Sequence, residues 1–112
     1  MKILFASFAF FLFLTACTAS KWASPNDSHV AGISAKYPGA SVEQLKQGRK
    51  VFVDNCDSCH LLDKLRNKDE AALGRIVPVM VEKVNKKKGD GTIGKEDQEA
   101  LLRYLVAVNT AN

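Results

Sequence analysis

Apolar positions recur at helical spacing in three stretches of this chain and alternate convincingly nowhere, so the pattern predicts helices and no strand. The first helix starts near Ser41. Ser41-Val42-Glu43-Gln44 has the form of a capping box, with Gln44 three residues after the cap. Leu45, Gly48 and Phe52 then share one face, and the helix should end close to Cys56. A second pattern starts at Asn67, with Glu70 at its capping-box position. Leu73, Val77, Met80 and Val84 form its stripe. Pro78 lies inside it and predicts a kink or break, because proline lacks the helix donor. Gly74, four residues back, relieves crowding at the facing carbonyl. Lys83 to Gly91 is polar, basic and glycine-containing, and reads as a loop or frayed end. A third helix is expected from about Lys95 to Val108. Glu96, Asp97 and Glu99 suit the positive end of its dipole. Leu101, Leu105 and Val108 make its stripe, beside Leu102 and Tyr104.

Residues 18–40 show no sustained apolar period and contain Ser20, Ser24, Pro25, Asn26, Asp27, Ser28, Gly32, Pro38 and Gly39. They read as a mostly disordered tether, with Trp22 and His29 as incidental members. Before them, Lys2 is followed by an apolar run from Ile3 to Leu14, the layout of an export signal. The run is shorter than the roughly 20 apolar residues of a membrane span. Leu14-Thr15-Ala16-Cys17 resembles the signal motif of bacterial lipoproteins. That resemblance implies cleavage before Cys17 and a lipid on its thiol. The expected organisation is therefore a signal over 1–16, a lipidated tether over 17–40 and one all-α domain over 41–112. Thr18 is not the aspartate that retains some lipoproteins in the inner membrane. The expected location is the periplasmic face of a bacterial membrane, the outer membrane being favoured.

The 112-residue chain carries a formal charge of +4, one less once Lys2 leaves with the signal. So mild a balance, in an exported chain, argues against nucleic acid as a partner. It favours an acidic docking partner where charge clusters, as at Lys83, Lys86, Lys87 and Lys88. A domain this small builds a weak core and commonly needs a staple.

Of three cysteines, Cys56 and Cys59 stand close together. Cys56-Asp57-Ser58-Cys59-His60 has the C-x-x-C-H spacing of c-type haem attachment. Two thiols three residues apart can share one side of a helical turn and reach two vinyl groups of one porphyrin. The adjacent histidine can then present a ring nitrogen to the iron. A thioredoxin-like redox pair would need a surrounding β-α-β pattern, a closed zinc site a fourth ligand, and a plain disulfide leaves His60 unexplained.

Gly48 to His60 and Leu101 to Leu105 resemble the first and last helices of monohaem class I cytochromes c. The resemblance implies a cytochrome c fold, with three main helices around one covalent haem c. It also implies that Gly48 and Phe52 pack against Tyr104, and that a methionine is the sixth iron ligand. Met80 is the one methionine after the signal, and His29 is the runner-up. The iron ligands would then be His60 and Met80, and the activity electron transfer to redox partner proteins rather than an enzymatic reaction. Two alternatives stand beside it. One is a haem-based sensor or enzyme with a dissociable sixth ligand. The other is a lipoprotein interaction module with a disulfide or zinc knot. One departure from the family is the absence of proline in the residues that follow His60, so another carbonyl must orient the imidazole.

Overall fold

A computed structural model describes residues 22–56 and 65–110 of the chain. The signal over 1–16, Cys17, Cys59 and His60 lie outside the described residues. The described residues form four helices and no strand, so the all-α expectation holds. None of these helices is long and apolar enough to cross a membrane.

Helix α1 spans Asp27–Ile33 and falls in the stretch expected to be tether. Its start is closed by a reciprocal cap. The Asn26 side chain accepts from the Ser28 and His29 amides at 2.9 and 3.2 Å, and His29 Nδ1 accepts from the Asn26 amide at 3.1 Å. Histidine here does the work usually given to Glu or Gln, satisfying orphan donors at a helix start. The tether reading is thus corrected from Trp22 onward. Trp22 and Ile33 are buried in the core, and His29 is buried beside them.

Helix α2 spans Val42–Cys56. Ser41 Oγ accepts from the Gln44 amide at 3.1 Å, the cap its sequence calls for. Helix α3 spans Glu70–Lys88. It starts later than expected, because Asp69 takes the cap by accepting from the Ala72 amide at 2.7 Å. Asn67 instead turns the chain with a positive φ of 58°. The helix runs through Pro78 rather than stopping there. Pro78 and Gly74 are both exposed, so water can serve the carbonyl that lost its donor.

The basic stretch after Lys83 is helical up to Lys88, contrary to the loop reading. Three lysines in the last turn suit the negative end of the dipole, and Lys86 pairs with Glu82 at 2.9 Å one turn back. Asn85 also exchanges two hydrogen bonds with Ile93, at 2.8 and 3.1 Å, which folds the following loop back onto the helix. Gly89 ends α3 at φ 120°, a conformation open to glycine alone at little cost. Helix α4 spans Lys95–Thr110.

The broadest interface is α2 against α4. Gly48 makes it possible. A β-carbon there would lie 2.7 Å from Tyr104 Cβ and 2.6 Å from the Ala100 carbonyl carbon, both closer than packed atoms approach. Phe52 and Tyr104 meet one turn further, with ring centroids 6.2 Å apart. Trp22 closes the stack, edge-on to Phe52 at 4.8 Å. Tyr104 donates its hydroxyl proton to the Ala23 carbonyl at 2.9 Å, tying the N-terminal segment to the crossing. Helices α1 and α3 also pack on α4.

Candidate functional site

The α2 register decides where the motif begins. Leu45, Gly48, Phe52 and Cys56 follow one inward face, so the last residue of the helix carries its thiol into the core. Cys56 is only 2 % exposed. The chain rejoins the described part at Leu65, which is also buried. Cys56 and Leu65, the described residues on either side of Cys59 and His60 in the chain, are thus both core residues.

Met80 sits on the inner stripe of α3 with Leu73, Val77 and Val81, and belongs to the same buried cluster as Cys56. Eight residues further along, about 12 Å at the helical rise, Lys88 reaches the end of α2. Its Nζ donates to the Asp54 carbonyl at 3.2 Å and to Asn55 Oδ1 at 3.1 Å. A helix C-terminus leaves carbonyls without partners and carries partial negative charge, and an ammonium answers both. The end of α3 is thereby fastened to the turn from which the cysteine motif departs.

The basic cluster is thus partly structural. Lys88 serves α2, and Lys86 is paired with Glu82, whose carboxyl that pair holds below its ordinary range. Lys83 and Lys87 stand exposed beside them, and Val79, 51 % exposed, lies one turn before Lys83.

His29 is not poised as a ligand through Nδ1, because that nitrogen is committed to the Asn26 amide. The structure brings Cys56 and Met80 into one apolar core and keeps His29 in the N-terminal cap.

Sequence reasoning missed two groups around this region. Arg66 lies over the Trp22 ring at 5.4 Å, within cation–π range. Tyr37 donates to Glu70 Oε1 at 2.8 Å, and Lys36 pairs with the same carboxylate. Trp22 is the chain's one tryptophan, and a lone large aromatic in so small a protein was the available signal. Nothing local marks Arg66 or Tyr37, since their partners are remote in sequence.

Of the four residues that a covalently held haem would call on, the described part contains Cys56 and Met80, and no three His, Cys, Asp or Glu side chains gather as a metal site among the described residues. These two offer a buried thiol at a helix end and a buried thioether, both set in apolar surroundings. Set against family models, curated proteins and solved structures, the chain matches none.

Proposed function

We propose that this protein is an electron carrier of the class I cytochrome c type, holding one haem c and anchored by lipid to the periplasmic face of a bacterial membrane. Cys56 and Cys59 would hold the porphyrin through thioether bonds, with His60 and Met80 as axial ligands. The bound haem supplies a one-electron ferric–ferrous couple. The chain's residues would retain it and exclude water, and with both His60 and Met80 held on the iron no place would remain for oxygen or substrate. A methionine ligand raises the potential relative to two histidines.

The observation that carries the reading is the C-x-x-C-H motif leaving a buried helix end, with Cys56 and Met80 in one core. The close approach of α2 and α4 at Gly48, backed by Phe52 and Tyr104, supports the cytochrome c fold. The redox partners would be proteins, acidic where they meet the exposed lysines of α3. The outer membrane is the favoured location.

The test is the absorption spectrum of the exported, matured protein beside its Met80→Ala variant. A Soret band in both, with the weak sulfur-to-iron band lost in the variant, is the expected result. Colourless protein, or a mass without an added tetrapyrrole, overturns the reading.

A further inference from the structure

A groove of about 340 Å³ runs between the N-terminal segment and α2, on the flank of that helix beside its buried face. Ser24 and Pro25 form one wall, and Lys46, Arg49, Lys50 and Val53 form the other. These four α2 residues fall at i, i+3, i+4 and i+7, one helix face. The volume matches about ten waters at roughly 30 Å³ each, enough for a small polar group rather than a side chain alone.

Its electrostatics favour an anion. Three cations and one carboxylate line it, and because Asp54 pairs with Lys50 the excess positive charge is that of Lys46 and Arg49. The Arg49 guanidinium bonds the Tyr104 side chain, while its buried Nε has no hydrogen-bond partner among the described residues. A guanidinium cannot shed its charge, and a buried donor without an acceptor is costly. A phosphate oxygen is an acceptor that guanidinium and ammonium groups bind through charge-assisted hydrogen bonds.

The source of that phosphate follows from chain length. Ser24 is seven residues after Cys17, and an extended chain covers at most about 3.3–3.6 Å per residue, so the groove stays within about 25 Å of the anchor. Trp22 is locked into the core and Ala23 is bonded to Tyr104, so this wall cannot swing away independently of the domain.

We propose that the groove of Ser24, Lys46, Arg49 and Lys50 binds the phosphate of an anionic phospholipid in the membrane that holds Cys17, and so orients the domain on that surface. This rests on the lipoprotein part of the reading above.

The test uses the matured, acylated protein in nanodiscs of phosphatidylcholine alone or with phosphatidylglycerol. The readout is the rate at which each lysine reacts with a water-soluble acetylating reagent, followed by mass spectrometry. Phosphatidylglycerol should slow Lys46 several-fold and leave Lys83 and Lys87 unchanged. Arg49→Gln should raise the phosphatidylglycerol content needed for half-protection about fivefold, the effect of one surface cation near anionic lipid. Where that variant folds poorly, Lys46→Gln read at Lys50 takes its place. Uniform slowing of all lysines, or none, overturns the proposal. Equal protection of Lys46 by inorganic phosphate with phosphatidylcholine alone overturns the lipid as the source. A chain whose mass lacks acyl groups fails the earlier reading, whereas an acylated chain with unprotected Lys46 fails this one alone.

Discussion

The crossing of α2 and α4 and the N-terminal segment over residues 22–40 reach the same core by different means. At the crossing, backbone meets backbone, and Gly48 leaves no room even for a methyl group against Ala100 and Tyr104. The N-terminal segment is held by a few side-chain anchors: Trp22 on Phe52, Ile33 in the core, the Tyr104 hydroxyl on Ala23, and Glu70 on Lys36 and Tyr37. At so close a crossing an added atom can be accommodated only by moving one whole helix away from the other. Discrete anchors can be lost one at a time. The contrast teaches that the crossing depends on close main-chain packing, whereas the N-terminal segment is fastened to it by separate side chains.

The largest effect should come from Gly48→Ala. Overpacking commonly costs about 1–3 kcal/mol, and contact with main chain on the far side puts this site at the upper end or beyond. A denaturant midpoint should show a domain close to unfolded. Gly74→Ala is the control, since nothing lies within 4 Å of a β-carbon there. It should gain up to about 1 kcal/mol from helix propensity. Equal behaviour of the two variants would break the comparison.

Next comes Trp22→Ala, expected to cost about 3 kcal/mol as a large aromatic leaves a packed site. Hydrogen exchange should show amides of α1 opening while those around Gly48 and Tyr104 stay protected. Simultaneous loss of protection in both regions would mean that the segment and the crossing form one cooperative unit.

Alkali probes the joint between the two regions. Burial pushes the Tyr104 phenol up to about 12, with the nearby Arg49 guanidinium working in the opposite direction. The unfolded chain would ionise this tyrosine near 10.0 and the folded one only later. Its contribution is therefore complete below pH 10 and is lost as pH rises toward 12, a loss on the order of 2 kcal/mol. Stability followed against pH should fall in that window for the parent and stay flatter for Tyr104→Phe.

The smallest effect belongs to Glu70. Its bond to Lys36, then that to Tyr37, holds the carboxyl below the ordinary 4.5. The folded state then keeps its proton off longer than the unfolded one. The stabilisation is present above pH 4.5 and fades as pH falls through the folded value. The group is exposed, so the change should be slight. Acid titration of Glu70→Gln should lack this step, and an unchanged profile would remove Glu70 from the anchors of the segment.

Much of the helical framework is legible in the chain because its causes are local. The Ser41 cap, the Leu45–Gly48–Phe52 face and the stripe of α4 each depend on residues a few positions apart, and the structure follows them. The Lys83–Gly91 stretch misled because its lysines read as loop composition. Their helical support comes from Asn85 bonding Ile93 beyond the helix. At Pro78 the sequence predicts a kink or a break, and the helix does not break there, since tolerance of proline depends on which side of the helix faces water. In the candidate site, the attachment motif and Met80 can be picked out by residue type and spacing. The burial of Cys56 and the fastening of α2 by Lys88 cannot, because their partners lie on other helices.

The amino-acid sequence by itself determined three of the four helices among the described residues, their inward faces and the pentapeptide that carries the candidate chemistry. Each of these is a matter of neighbours within one or two turns. Only the tertiary structure decided that the chain is folded from Trp22, that α2 and α4 touch through backbone at Gly48, and that a basic groove opens beside Ser24. Those features arise where segments far apart in the chain are brought together, and periodicity records which face a helix buries but not what it is buried against.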